Sequence, residues 1–326
     1  MIDFVVMWVD GSDKEWQALK NSFSPIKKNS DAQYRECGLL KYWFRSIEKY
    51  APWVDRIFFV TCGQKPEWLN ADNPKLKLVN HTDFMDPRYL PTFSSHSIEL
   101  NLHRIPDLSE KFVYFNDDMY LGAPVKETDF FVNDLPCFTP ILSVLSPSVP
   151  NDPFIHYLCN DTAFVNAHFS KRQVIKNNLF KWYNPKYGKS NLKNIYYGPT
   201  KAFSGFTNYH SPSSMLKSVY EKVWELEPEL LDKTCLNKFR ALTDVNQYVM
   251  SYYSVCTGQF APRSPKSSKF YTIGVDSNSI LDAFKNQKYK MICVNDNPND
   301  IDFDKECARI QEIMESVFPE KSQFEI

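Results

Sequence analysis

The run Lys111-Phe-Val-Tyr-Phe-Asn116-Asp117-Asp118 constrains this chain more than any other, because a short apolar stretch hands an amide and two adjacent carboxylates to its C-terminal end. A β-prone run followed by turn formers reads as a buried strand. In α/β sheets the carboxyl ends of the strands are where ligands bind. Neighbouring residues at a strand end point to different sides, so one carboxylate can hold a cation while the other takes a proton. Asn and Asp are also ordinary turn residues, so the motif needs support from the rest of the chain.

The order of elements supplies it. Ile2 to Val9 reads as a buried strand ending in Asp10-Gly11-Ser12-Asp13, a turn able to cap whatever follows. Leu39 to Tyr50 has helical periodicity and is closed by Pro52, and Arg56 to Thr61 and Lys77 to Asn80 are β-rich. Ser95 to Arg104 reads as a helix opened by a serine cluster, directly before the Lys111 run. This alternation predicts an α/β fold with a Rossmann-like, largely parallel sheet.

From Asp134 to Ser214 the pattern breaks into Pro-, Asn- and aromatic-rich segments with basic clusters such as Lys171-Arg172 and Lys176, read as a loop-rich insertion. A helix over Thr243–Cys256, a strand over Lys269–Ile273, a short helix over Ile280–Phe284 and a strand over Met291–Val294 follow. That last strand ends at Asn295-Asp296, and Asp304–Val317 has the apolar stripe of an amphipathic helix. The expected organisation is a ligand-binding half over residues 1–133, an insertion over 134–214 as candidate acceptor site, and a helical C-terminal part over 215–326 completing the catalytic domain.

Composition removes several classes of function. The 38 basic and 39 acidic residues nearly cancel, which argues against nucleic acid or an anionic membrane surface as the main partner. Neither GxxxxGK[ST] nor GxGxxG occurs, so kinase and dehydrogenase readings lose support. The eight cysteines show no CxxC spacing and read as reduced. No stretch approaches the roughly 18 apolar residues of a spanning helix, and the N-terminus begins as a strand without a signal-peptide pattern. The expected address is the cytoplasm, with peripheral membrane association left open.

Three strand ends carry acids: Asp10 to Asp13, Asn116 to Asp118 and Asn295-Asp296. In a parallel pattern they converge on one sheet edge, and oxygen-only ligands there suit Mg²⁺ or Mn²⁺ rather than zinc. Ser94 and Ser95 place hydroxyls at a helix start with Glu99 about one turn inside, where a phosphate oxygen could sit. His210 lies in a polar loop, and Arg240 has the guanidinium that matches phosphate oxygens in pairs. Each has an ordinary alternative: Asp and Ser cap helices, and Arg240 alone would be a surface arginine. His103, beside Arg104 at a helix end, reads as a structural cation offsetting the dipole.

Taken in order, these residues resemble the Stealth proteins, bacterial capsule-polymer phosphotransferases related to the α/β subunit of lysosomal-enzyme N-acetylglucosamine-1-phosphotransferase. The first family block resembles Ile2 to Asp13. The second resembles Arg45 to Trp53, Thr61 to Leu69, Leu90 to Ser95, Ile98-Glu99, Leu102 to Pro106 and Phe115 to Asp118. The third resembles Tyr209 to Pro212 with Arg240 to Asp244, and the fourth Ile292 to Asn297 with Phe318 to Glu325. The chain departs from the family in starting at the first block and in reading Glu36-Cys-Gly-Leu-Leu40 where a charged position is usual. The stretch from Asp134 to Ser204 resembles nothing specific and is expected to choose the acceptor.

The resemblance implies a fold of nucleotide-sugar transferase type and transfer of hexose-1-phosphate from a UDP-N-acetylhexosamine to a saccharide or phosphosaccharide acceptor, with release of UMP. It implies Glu99, Asp118, His210 and Arg240 as catalytic residues and Asp10, Gly11, Ser12 and Gln64, with Ser94 and Ser95, for the nucleotide sugar. It also implies a divalent cation, assigned here to Asp117, Asn295 and Asp296, and leaves room for association with a membrane-bound capsule-assembly complex. Two other readings compete. A metal-dependent glycosyltransferase would release UDP instead, and a binding module would use Asn295 to Asp304 as a cation loop, although that stretch lacks the glycine an EF-hand needs.

Overall fold

The computed structural model of the protein describes residues 1–24, 34–35, 37–147, 152–296 and 302–326. Glu36, residues 148–151 of the insertion, Asn297 and half of the Asn295–Asp304 cation-loop reading lie outside the described residues. The strands, in chain order, are β1 (Asp3–Met7), β2 (Ile57–Thr61), β3 (Leu76–Asn80), β4 (Lys111–Phe115), β5 (Met119–Leu121), β6 (Phe131–Val132), β7 (Leu135–Phe138), β8 (Ser213–Leu216), β9 (Ala261–Pro262), β10 (Ser268–Thr272) and β11 (Met291–Asn295). The helices are α1 (Lys14–Phe23), α2 (Leu40–Tyr50), α3 (Ser95–Glu99), α4 (Pro153–His168), α5 (Lys171–Asn177), α6 (Leu179–Trp182), α7 (Asn191–Tyr197), α8 (Lys217–Leu226), α9 (Pro228–Leu236), α10 (Tyr248–Thr257), α11 (Ser277–Lys285) and α12 (Phe303–Val317).

The main sheet has the order β3-β2-β1-β4-β8, parallel except for β8. This is the α/β, largely parallel architecture expected from the alternation of elements. On β1, Phe4 and Val6 enter one core and Val5 the other, and β4 divides Val113 and Phe115 from Phe112 and Tyr114 in the same way. Both faces are covered, which is why these strands read as unbroken apolar runs. Helices α2, α11 and α12 cover one face, and α4, α8, α9 and α10 the other. After the turn at 116–118 the chain crosses into a smaller sheet, where β5 pairs antiparallel with β11 and β11 pairs parallel with β10. Strands β6, β7 and β9 form a third.

Four expectations need correction. The helix read over Ser95–Arg104 is two pieces, α3 and a 3-10 turn at Leu102–Arg104. Asn101 Nδ2 donates to the Ser97 carbonyl at 2.8 Å, so a side chain takes an acceptor the helix would use. The helix read from Thr243 begins only at Tyr248, because Asp244 Oδ2 accepts from Ala241 N and Asn246 Oδ1 from Tyr248 N, each holding a turn. The insertion is largely helical rather than loop-rich, since α4 to α7 bury Phe164, Val165 and Trp182 against the second core. The cysteines are not all free, because Cys37 is joined to Cys307, tying the start of α2 to α12. Among the described residues no helix is long and apolar enough to cross a membrane.

Candidate active site

Because β1, β2 and β4 run parallel, the loops at Asp10–Asp13, Cys62–Gln64 and Asn116–Asp118 leave one edge of the sheet together. The first two are locked to each other. Gln64 Oε1 accepts from Asp10 N at 2.8 Å, and Gln64 Nε2 donates to the Asp10 carbonyl at 3.1 Å and to Asp13 Oδ2 at 2.9 Å. Ser12 N and Oγ both donate to Asp10 Oδ1, at 2.8 and 2.6 Å. Gly11 is obligatory, since a Cβ there would lie 2.0 Å from the Tyr34 carbonyl oxygen. Asp13 caps α1, and the Gln64 amide, ahead of the Trp16 N–H, holds its carboxyl below the usual range. The loop is thus set before any ligand arrives.

A second cluster stands on the turn before α3. Phe93 N donates to the Lys238 carbonyl at 2.8 Å, its ring stacks on Phe239, and Arg240 Nη2 donates to Ser95 Oγ at 2.8 Å. Ser94, not Ser95, occupies the N-cap position and makes no cap bond, so its buried Oγ has no partner among the described residues. Helix α3 spans five residues, too few to lend a strong dipole. Tyr34 ties this turn to the β1 loop, with its hydroxyl on the Phe93 carbonyl at 2.9 Å and its ring on Trp16.

The third cluster holds the acid–base groups. His210 adopts a left-handed backbone with φ 39°, and its N–H is held by Asn208 Oδ1 at 2.7 Å. Its Nε2 lies 3.5 Å from Asp118 Oδ2, and its Nδ1 lies 3.4 Å from the Tyr248 hydroxyl. Cys293 Sγ donates to the same Asp118 oxygen at 3.2 Å, and Val294 N donates to the Asp118 carbonyl at 2.8 Å, fixing the turn. Glu99 is buried, accepting from the Tyr114 hydroxyl at 3.4 Å and from Gln247 N at 3.3 Å. Burial alone pulls the His210 imidazole down. The charge and hydrogen bond of Asp118, with the charge of Glu99, outweigh it against an opposing Arg240, and hold the ring above its usual value. The four residues marked as catalytic by resemblance therefore share one electrostatic environment. His103 stands apart: buried against Tyr220, it is pushed down to about 3 and is neutral, which corrects its reading as a cation.

Two donor sets were tested for a divalent cation. Donor atoms of Asp118, His210 and Cys293 all lie within 4.8 Å of one another. Burial first, then the charge of Asp118, raises the Cys293 thiol well above its usual value, so it stays protonated and soft. That trio does not fit a hard cation. The oxygen set fits better. Asp117 lies in the turn closed by Met119 N on the Asn116 carbonyl at 3.1 Å, next to the Asp118 carbonyl that Val294 N of β11 holds, and Asn295, one residue on, uses its amide nitrogen on the Asp296 carbonyl at 2.7 Å. Asp296 Oδ2 is engaged by Arg35 at 2.8 Å.

Below His210 opens a narrow cleft of about 560 Å³, its open mouth included, lined by Phe206, Tyr209, Tyr248, Tyr252 and Arg263 among others. Arg263 donates to Ser211 Oγ at 3.2 Å, burial lowers its guanidinium, and no carboxylate pairs with it among the described residues. Around the cleft and the catalytic cluster, Asp118 Oδ1, Thr207 Oγ1, Asn208 Nδ2, Gln247 Oε1 and Ser251 Oγ are buried without partners among the described residues. An orphaned buried polar atom costs about 1–3 kcal/mol, so such a concentration marks a ligand site. Sequence reasoning passed over Tyr248 and Arg263. Pro262-Arg263-Ser264 carries no motif, and its place beside the cleft comes from the bond of Arg263 N to the Phe138 carbonyl at 2.8 Å, a contact remote in sequence.

The model of the Stealth protein CR2, conserved region 2, matches residues 33–137 of this chain. The capsular polysaccharide phosphotransferase WcwK of Streptococcus pneumoniae is 42% identical over 99% of this chain and 98% of its own. The chain belongs to the Stealth family. The receptor polysaccharide phosphotransferase WefC of Streptococcus gordonii is 40% identical over 100% of this chain and 99% of its own. The exopolysaccharide phosphotransferase cps2G of Lactiplantibacillus plantarum is 40% identical over 99% and 96%. With such relatives along its whole length, this Stealth protein is an enzyme of the transferase class. Among solved structures the galactosyltransferase LgtC covers 96% of the chain at 10% identity with a TM-score of 0.43, a distant likeness on which nothing further is built.

Proposed function

We propose that this Stealth enzyme transfers hexose-1-phosphate, specifically N-acetylhexosamine-1-phosphate, from a UDP-sugar to a hydroxyl of a saccharide or phosphosaccharide acceptor, releasing UMP and building a phosphodiester-linked, capsule-type polymer. The observation that carries this reading is the cluster of Asp118, His210, Glu99 and Arg240 beside buried polar atoms that lack partners, in a chain aligned end to end with polysaccharide phosphotransferases.

The donor diphosphate sits over the edge formed by Asp10, Gly11, Ser12 and Gln64, with Ser94, Ser95 and Arg240 turned to its phosphate oxygens. The acceptor enters by the cleft under His210, where the half-buried guanidinium of Arg263 and the donors Thr207 and Asn208 favour an oxygen-rich, anionic sugar. Asp118 or His210 takes the proton of the acceptor hydroxyl as its oxygen attacks the β-phosphorus. The bond from that phosphorus to the bridging oxygen breaks, and UMP leaves with the electron pair. Arg240 stabilises the phosphoryl oxygens, joined by charged His210 where Asp118 is the base, while Glu99 orients the start of α10 through Gln247 N. A divalent cation, Mg²⁺ or Mn²⁺, held by Asp117 and Asn295 with Asp296 beside them, supplies neutralisation of diphosphate charge. The proposed setting is the cytoplasm, at the inner face of the membrane.

The test is to incubate the purified chain with UDP-N-acetylglucosamine, Mg²⁺ and a phosphosugar oligomer and to resolve nucleotide products by anion exchange. UMP supports the proposal, whereas UDP means transfer of the sugar alone and overturns it. Chelation with EDTA is expected to stop turnover reversibly, and full activity after metal stripping would remove the cation from the reaction.

A further inference from the structure

Between Lys171 and Lys201 the chain carries eight lysines and arginines and no aspartate or glutamate, although its net charge is −1. Three of the eight are engaged internally, among them Lys186, which donates to the Pro262 carbonyl at 3.1 Å. Lys171 is buried against Tyr197 O and Thr200 Oγ1, and Lys181 donates to the Gly258 carbonyl at 2.6 Å. Arg172, Lys176, Lys189, Lys193 and Lys201 are exposed and form no ion pair among the described residues.

The same segment exposes five large apolar side chains: Phe180 at 86%, Tyr196 at 77%, Leu192 at 67%, Ile195 at 58% and Leu179 at 48% of their full surface. Two short helices hold them. Asn194 Nδ2 donates to the Trp182 carbonyl at 2.8 Å, and Asn191 Nδ2 to the Asn184 carbonyl at 2.8 Å, so α6 and α7 pack through Trp182 and Asn194. Both of those side chains are buried, which leaves Leu179 and Phe180 on one helix and Leu192, Ile195 and Tyr196 on the other facing outward.

Exposed apolar clusters of this size mark an interaction surface. A soluble saccharide polymer would use aromatic faces and hydrogen-bond donors, and has no use for Leu192, Ile195 or Leu179. Apolar side chains interleaved with unpaired cations match a bilayer interface, where the former enter the headgroup region and the latter meet anionic lipid. We propose that the outer surface of α5 to α7 docks on an anionic lipid bilayer. The balanced net charge conceals this, because the segregation is local.

The docked surface lies at the far end of α10 from the catalytic cluster. Tyr248 at its start touches His210, and Gly258 at its end meets Lys181. Ten residues of helix rise roughly 15 Å, so on the function proposed above the cleft would open within one short helix of the membrane.

The experiment is flotation of the full chain with vesicles of phosphatidylcholine alone and of equal parts phosphatidylcholine and phosphatidylglycerol, which reads binding without reference to catalysis. The expected result is at least about tenfold more protein on the anionic vesicles, diminishing as salt is raised. Two double variants, Phe180→Ser with Tyr196→Ser and Lys189→Glu with Lys193→Glu, should each lower that binding about tenfold while circular dichroism and thermal unfolding stay unchanged. Equal binding to both vesicles, or undiminished binding by both double variants, overturns the proposal. Binding to a soluble anionic saccharide polymer with none to vesicles overturns it too, and assigns the surface to the polymer.

Discussion

Two charged clusters of this molecule look alike in sequence and differ in what their atoms lack. Arg45 lies in the matched second region, 33–137, and Glu325 near the C-terminus, and the structure clamps them together. Arg45 Nε and Nη2 reach the two Glu325 oxygens at 2.8 and 2.7 Å, while Nη1 reaches Glu315 at 3.0 Å and the Phe318 carbonyl at 2.7 Å. Glu325 also accepts from Ser322 N at 2.9 Å. At the sheet edge, by contrast, Asp118 keeps one buried oxygen without a partner, and Ser94, Asn208 and Gln247 each leave a buried polar atom unmatched. A saturated cluster holds the chain together, and an unsaturated one waits for a ligand. Membership of a family block does not separate the two roles; what marks the second is orphaned atoms gathered beside an acid–base pair, since isolated ones such as Trp43 Nε1 and the Tyr220 hydroxyl also lie in the core.

The strongest way to break this comparison is Asp118→Asn. Turnover should fall by about ten-thousandfold, about 5 kcal/mol of barrier, with thermal unfolding little changed. His210→Ala should behave the same way, and near-normal turnover by either pure variant would remove that residue from the chemistry. Arg45→Ala should do the opposite, costing about 3 kcal/mol or more of stability in denaturant melts because it strands a buried carboxylate. Its folded fraction should keep its activity, and a stable but inactive protein would show that the clamp reaches the site.

The pH dependence separates the clusters further. Burial alone would raise the Glu325 carboxyl, but Arg45 and the Ser322 N–H outweigh it and hold it low, so its stabilisation is present above the ordinary glutamate range and is lost on acidification. His210 is held high, so what its charge contributes is present below the ordinary histidine range and is lost as pH rises through the elevated value. Acid should therefore loosen the C-terminal clamp, and alkali, by removing the His210 charge, should weaken the hold on the phosphoryl oxygens. In an NMR titration Asp118→Asn should bring the His210 midpoint down, and an unmoved midpoint would deny the coupling. The smallest effect is expected from Tyr248→Phe, which removes the partner of His210 Nδ1 and should slow turnover about fivefold to tenfold with the fold intact.

Much of the fold was legible because the central strands are covered on both faces. Phe4-Val5-Val6 and Phe112 to Phe115 cannot alternate polar and apolar residues, so they announce themselves as buried strands and their ends point to the site. Much of the insertion was not legible, because α5 to α7 are short and interrupted at Pro185 and Pro199 and draw their stability from tertiary contacts such as the burial of Trp182. Nor was the pairing of Cys37 with Cys307, which lie 270 residues apart with no spacing to mark them. At the site the acids were visible as strand-end residues. Tyr248 and Arg263 were not, since only the folded backbone brings them to His210.

The central claim is that phosphorus, not the anomeric carbon, is attacked. The most direct measurement follows a radiolabel placed in the β-phosphorus of UDP-N-acetylglucosamine through one round of transfer. The label should appear in the saccharide product and resist phosphatase, as a phosphodiester does. Label retained in UDP, with sugar alone on the acceptor, would contradict the account.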